Sequence, residues 1–336
     1  MNLLDQAWME FVIRRTDSMI FHHPAWIHLI ADSYGYRPFV VGVRDGDGRY
    51  HAGIPVMEIN SPITGRRWVS LPFSDFCSPL SETENGLAQV AEDVLSLARA
   101  EGVRNVELRG TFSPHPALVT DSDCVLHELD LEPNHENVFT RLHEMHRRNI
   151  KTARQKGVDI IRSNTNEHLK EFYNLHLLTR RRQGVPIQPW KFFRDLGRLF
   201  DQGLGFLLLA YIEHRCVAGA VFLHWQKTLT YKYGASLPDD LQARPNNLIM
   251  WSAIQWGCEN GFGKFDFGKT DLSNTGLRTF KSRWGAREFR LPYTYLAPRE
   301  KKAGDGRMTI LLNAIIQRSP PQVCRILGEL LYKHFG

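Results

Sequence analysis

The sequence predicts an α/β protein of two similar domains, each a mixed, twisted sheet flanked by helices. Three observations predict it. Short apolar runs of strand character alternate with helix-period stretches, the pattern of mixed α/β folds. The order helix, three-stranded meander, helix, strand, strand occurs twice along the chain. A length of 336 residues, with 43% hydrophobic and 23% charged residues, suits two soluble domains that each bury a core.

In the first half a helix over Pro24–Tyr34 leads into a strand at Pro38–Val43. The turn Asp45-Gly46-Asp47-Gly48 then makes a hairpin into His51–Ile59. A strand at Trp68–Leu71, an amphipathic helix near Gly86–Glu101 and strands at Asn105–Arg109 and Val125–Leu131 complete it. The second half repeats the order, with helices over Glu167–Gln183 and Pro189–Phe200 and a meander of Phe206–Ile212, Val217–Trp225 and Leu229–Ala235. A helix near Asn247–Asn260 and strands at Lys264–Phe267 and Phe289–Leu296 follow. The expected domains are therefore 1–133 and 158–300, joined by a basic helix at 134–157 and followed by amphipathic helices at 301–336. The tail from Met308 to Phe335 either packs on the body or touches a membrane surface, since Arg318, Arg325 and Lys333 accompany its apolar residues.

Composition narrows the class. Lysines and arginines exceed carboxylates by 42 − 36 = +6, which favours anionic, phosphate-bearing partners over long range. The five dispersed cysteines form no Cys-x-x-Cys pair and are expected as free thiols. His22-His23 and the His143/His146 pair lack the acidic or cysteine companions of a metal site, so no metal is expected. The first twenty residues, charged throughout, do not form a signal-peptide core, and no apolar run is long enough to span a bilayer. The cytoplasm is the expected location, with the inner face of the membrane as the site of any peripheral contact. Basic clusters are not interleaved with aromatics as single-strand binders require, and DNA is not an expected partner.

The chemistry concentrates in Phe265-Asp266-Phe267-Gly268-Lys269-Thr270-Asp271 and Gly276-Leu277-Arg278-Thr279-Phe280-Lys281. A short apolar strand stops at a carboxylate and a glycine, a polar loop follows, and a short helix brings Arg278 and Lys281 to the same end. Asp266 lies between Phe265 and Phe267 and so points to the opposite face. It either takes a proton or fixes a substrate, or it caps the following turn. Tyr233 on the central strand serves either packing or catalysis, and Phe280 either the core or a substrate wall. Arg147, Arg148, Lys151 and Arg154 recur at near-helical spacing, either as a solvated face or as a phosphate-binding row.

The meander, helix and strand order resembles the core of the GNAT acyltransferase superfamily. Members of that superfamily hold the coenzyme A pyrophosphate on a glycine-rich loop at a helix N-terminus. The equivalent segment here, Leu241-Gln242-Ala243-Arg244-Pro245-Asn246-Asn247-Leu248, contains no glycine, and Pro245 removes a donor. Arg244 and Asn246 remain as candidate phosphate contacts. The doubled organisation, Arg147-Arg148-Asn149-Ile150-Lys151-Thr152-Ala153, Tyr233-Gly234-Ala235, Pro245-Asn246 and the Phe280-Lys281 pair resemble the Fem-type (FemAB-like) aminoacyl transferases and the related BioF2-like acetyltransferase domain of polysaccharide-biosynthesis clusters.

The resemblance implies transfer of an acyl or aminoacyl group to an amine of a cell-envelope or polysaccharide precursor. It implies Lys281, Asp266 and Tyr233 as catalytic candidates, with Arg147, Arg148, Lys151, Arg244, Asn246, Lys269 and Phe280 as substrate-binding candidates. Lys281 would stabilise an oxyanion or hold a phosphate, unless it is a solvated surface lysine. No cofactor is expected to be tightly bound. The donor is aminoacyl-tRNA or an acyl-CoA, so tRNA is a candidate partner. A coenzyme-dependent N-acetyltransferase and a non-catalytic RNA- or glycan-binding module are the alternatives.

Overall fold

The computed structural model describes residues 6–297, 313–334 and 336. The charged stretch 298–307 and the apolar residues Met308–Leu312, read above as the start of the tail, lie outside the described residues. The chain forms two compact units, divided at Val125/Leu126 and again at Phe289/Arg290.

In the first unit, helices α1 (Gln6–Arg14) and α2 (Pro24–Tyr34) precede strands β1 (Arg37–Arg44), β2 (Tyr50–Ser61), β3 (Gly65–Val69) and β4 (Leu80–Ser81). Helix α3 (Glu84–Ala100), β5 (Val106–Leu108) and the start of β6 (Leu118–Asp130) follow. Strands β1, β2 and β3 pair antiparallel, and α3 crosses over so that β5 runs parallel to β3. Thr83 caps α3, its hydroxyl accepting from Gly86. Val90, Ala91, Val94 and Ala98 of that helix recur at the helical period and meet Val41, Ile54, Val56 and Trp68.

The second unit begins with α4 (His135–Arg141), α5 (Glu144–Gln155) and β7 (Asp159–Ser163). It continues through α6 (Asn166–Gln183), α7 (Trp190–Asp201), β8 (Gly205–Ile212), β9 (Arg215–Trp225) and β10 (Thr228–Ser236). Helix α8 (Pro245–Glu259), β11 (Lys264–Asp271), α9 (Thr275–Ser282) and the start of β12 (Arg287–Leu296) complete its body, with helical residues 313–318 as α10 and Pro321–Leu331 as α11. Strands β7 to β10 pair antiparallel in sequence order, and β11 lies parallel to β10.

Alternation along β8 decides the layers. Phe206, Leu208 and Ala210 join the core that α5 and α8 cover, with Ile150, Trp251 and Ile254, while Leu209 reaches Phe172 of α6 beside Gly219. The fold class is the expected one. Several boundaries differ. The strand expected to stop at Phe267 continues to Asp271, so the expected polar loop is strand, and β6 starts at Leu118, well before the apolar run that marked it. Polar side chains carry no alternating apolar signal, which hides such strand ends. The segment 134–157 forms two helices, broken at Leu142–His143.

Helix α11 packs on the second unit through small residues. Cys324 is buried, its thiol 3.5 Å from the Val185 carbonyl, and Gly328 lies against the backbone of Ile187. Ile326 and Leu330 stay exposed on the far side. Among the described residues no helix is long and apolar enough to cross a membrane. A methyl group at 328 would collide with the Ile187 carbonyl, so Gly328→Ala should destabilise by about 1–3 kcal/mol. Thermal unfolding of the full chain measures this, and an unchanged midpoint would contradict the close seating of α11.

Candidate active site

The site starts from a backbone irregularity. Parallel pairing of β10 with β11 runs from Thr228↔Lys264 to Thr230↔Asp266 and ends there. Immediately beyond, β10 carries a bulge between Tyr231 and Tyr233 and follows β9 to Ser236↔Ala218. The two central strands therefore part, and a wedge opens between their C-terminal ends, where open α/β sheets bind ligands.

On the β11 wall, Asp266 is fully buried and its Oδ1 accepts from the Gly268 N–H at 2.7 Å. The carboxylate thus fixes a turn for which Gly268 supplies a positive φ of 73°. The Gly268 carbonyl, presented by that turn, accepts from Nζ of Lys281 at 2.7 Å, and the Lys269 carbonyl accepts from the same nitrogen at 3.2 Å. Lys281 is 4% exposed, so its ammonium is a buried charge held on backbone dipoles and not a solvated surface group. Asp266, Gly268, Lys269 and Lys281 form one connected unit. The Lys269 side chain itself points to solvent.

A second chain of bonds seats helix α9. His146 of α5 is fully buried and stacks on Trp284 with centroids 4.2 Å apart. Its Nδ1 accepts from Nδ2 of Asn247 at 2.8 Å, which leaves the proton on Nε2, 3.4 Å from the Phe280 carbonyl. Asn149 approaches the Asn247 amide oxygen at 3.5 Å, and the His143 N–H donates to the Arg283 carbonyl. The half-buried Phe280 ring lies edge-on to His146 and packs against the core. Two segments singled out in the sequence, 245–248 and 276–285, meet at this imidazole, and Asn149 of 147–153 reaches Asn247 beside it. The sequence had shown His146 only as half of an unconvincing metal pair.

His127 of β6 was missed altogether. It is fully buried, with Nε2 3.2 Å from a Glu288 oxygen, and Arg278 grips both oxygens of Glu288 at 2.8 Å. Burial first, and then the Lys281 cation, push its pKa down, so it stays neutral beside that cation. Its signal was weak: a histidine in the apolar run Val125–Leu129 reads as ordinary strand.

The remaining candidates are spread more widely. Tyr233 lies on the β10 wall, its ring packed on Phe193, Phe192 and His176. Arg148 and Lys151 are exposed on α5, and Arg147 is half-buried with its Nε out of solvent. Arg244 and Asn246 are exposed at the start of α8, Asn246 donating to the Ser236 hydroxyl.

Comparison with known proteins accounts for this geometry. Residues 141–282 match the family described as acetyltransferase (GNAT) domain. Within the second unit, residues 141–282 are thus similar to a GNAT domain.

A relative, the UDP-N-acetylmuramoylpentapeptide-lysine N(6)-alanyltransferase of Weissella viridescens, is 20% identical over 187 residues, 55% of this chain and 53% of that protein. The chain thus aligns with about half the length of that relative. Among solved structures, FemX superposes with a TM-score of 0.70 at 14% identity, over 93% of this chain and 99% of its own. The L-PGS structure from Bacillus licheniformis gives 0.56 at 15% identity, over 94% and 98%. These likenesses show a fold shared with both structures over nearly the whole chain.

The start of α8 departs from the glycine-rich coenzyme cradle of the GNAT superfamily described above. The turn into α8 is made by Arg244 at a positive φ of 59°, where glycine would be unstrained. Pro245 has no N–H, and the Asn247 N–H is already bonded to the Arg244 carbonyl. A pyrophosphate would find few backbone donors, so these residues do not fit the cradle.

Burial lowers the His146 pKa to about 4, and it does the same to His224. A histidine in the unfolded chain titrates near 6.5, so as pH falls below that value the unfolded state binds protons that the folded state refuses. Stability should therefore decline from about pH 6.5 toward pH 4. Thermal midpoints across that range should fall less steeply in His146→Gln than in the parent. Equal slopes would show that this ring is not held neutral.

Proposed function

We propose that the chain is an N-acyl transferase that moves an aminoacyl group from an activated ester to an amine of a cell-envelope or polysaccharide precursor. The observation that carries this reading is the buried Lys281 ammonium, anchored at the end of β11 beside the wedge. Support also comes from the relative named as an alanyltransferase acting on a UDP-linked peptide lysine. A structural neighbour, the C-terminal domain of a putative lysylphosphatidylglycerol synthetase from Agrobacterium fabrum, shares the fold at a TM-score of 0.57.

The chemistry asks for little beyond positioning and charge. The neutral amine of the acceptor attacks the carbonyl carbon of the ester, and the carbonyl oxygen becomes an oxyanion. Collapse re-forms the carbonyl, breaks the ester C–O bond and leaves an amide, while the amine proton leaves with the departing alcohol. Lys281 stabilises the oxyanion as a preorganised cation. Asp266 acts as a positioning residue, because its Oδ1 sets the turn that offers the Gly268 carbonyl to Lys281. Tyr233 lines the opposite wall.

Aminoacyl-tRNA is the donor this reading favours, for two reasons. The α8 N-terminus lacks the donors for coenzyme A, and Arg148, Lys151 and Arg154 expose cations along α5 that suit a phosphate backbone. The reaction belongs in the cytoplasm, and the exposed Ile326 and Leu330 leave room for contact with the membrane's inner face.

Lys281→Met should lower kcat by about a hundredfold or more and also reduce stability, since two carbonyls lose a buried donor. Asp266→Asn keeps an acceptor for Gly268 and should retain most of the rate; a loss as large as that of Lys281→Met would make Asp266 the proton acceptor instead. Both need an assay of aminoacyl transfer from charged tRNA to an amine acceptor. Absence of transfer with every donor, alongside tight RNA or glycan binding, would identify a binding module. Isothermal titration with acetyl-CoA should give no micromolar binding, and a micromolar Kd would overturn the preference for tRNA.

A further inference from the structure

Helix α9 carries a second polar face besides that of Lys281. Thr275, Arg278, Thr279 and Ser282 recur at helical spacing and line a groove of about 620 Å³. Arg141 from the end of α4, His143 at the start of α5, and Arg283 and Gly285 after α9 complete its walls. Arg278 is spent on Glu288, and Arg141 on Glu132 at 2.7 Å. Arg283 is different: its guanidinium meets the Met145 sulfur at 3.6 Å and has no carboxylate partner among the described residues. The His143 Nδ1 accepts the Met145 N–H, so the neutral ring carries its proton on Nε2 at an exposed position. The hydroxyls of Thr275, Thr279 and Ser282 make no hydrogen bond within the protein among the described residues.

Three guanidinium groups, one carboxylate, an imidazole N–H and three unengaged hydroxyls thus face one cavity. The volume far exceeds that of a single anion and falls within the range of small-molecule sites. Arginine forks take phosphate oxygens, and hydroxyls take both phosphate oxygens and sugar hydroxyls. We propose that this groove is a second binding site, for a phosphate-bearing, hydroxyl-rich ligand of the size of a nucleoside diphosphate sugar, with Arg283 as its principal anion contact. The assignment does not depend on acyl transfer. It adds a place where a soluble, diphosphate-linked ligand would rest against the outer side of the helix that carries Lys281.

Isothermal titration of the full chain with inorganic pyrophosphate and with UDP-glucose tests it. Both should bind with a Kd that rises with salt. UDP-glucose should bind more tightly than pyrophosphate, because its sugar and nucleoside engage the hydroxyls, and equal affinities would overturn the proposed ligand class. Arg283→Ala should weaken both about tenfold or more, and Thr279→Val combined with Ser282→Ala about threefold. Arg99→Ala, exposed on α3 and outside the groove lining, should leave both unchanged, and Arg148→Ala with Lys151→Ala reports on the exposed face of α5. Absence of binding at millimolar probe, or a Kd unmoved in Arg283→Ala, would overturn the proposal. So would a loss confined to the Arg148/Lys151 variant, which would place the anion on the exposed face of α5. Binding without transfer would refute the transferase reading and keep this one; transfer without binding would do the reverse.

Discussion

The buried ammonium of Lys281 is the constraint on which the second unit's site depends. A lysine at 4% exposure loses its hydration, and a fold tolerates that only if fixed dipoles replace the water. Here the dipoles are the carbonyls of Gly268 and Lys269, and their direction is set by the turn that Asp266 and Gly268 make together. One side of the wedge is therefore rigid for an electrostatic reason. The same bonds that make the charge tolerable also fix its position at the end of β11.

His146 performs a complementary task from the other direction. Its ring is neutral, stacked and hydrogen-bonded at both nitrogens, and it joins α5, α8 and the C-terminal half of α9. A histidine in this role supplies one donor and one acceptor on a flat apolar body, a combination that no other side chain offers in so small a volume. The neutral state follows from burial, so the junction is sound at physiological pH and weakens only in acid.

The layers and the order of elements were legible in the sequence because they rest on apolar periodicity, which both halves carry clearly. The chemically charged segments around Asp266, Lys281, Arg147 and Asn246 were legible too, as unusual polar residues at the ends of apolar runs. What stayed hidden was the wiring between them. That Lys281 is buried depends on a carbonyl thirteen positions earlier, and that His146 matters depends on Asn247 and Phe280, far away along the chain. The extension of β11 to Asp271 escaped notice for a related reason, since a strand edged with polar residues shows no alternation. His127 gave only a weak sign, because a single histidine within an apolar strand is the expected appearance of a core residue.

The parting of β10 from β11 is a property of backbone register, created by one additional residue in β10 and not by the bulk of any side chain. An opening made this way survives replacement of nearly everything that lines it. Chains that share this backbone are then free to exchange the side chains that line the opening while the opening itself is kept. That freedom fits the low identity, 14% against FemX over almost the whole chain, at which the architecture is still held in common. Here the turn that enters α8 is built from an arginine at positive φ and a proline.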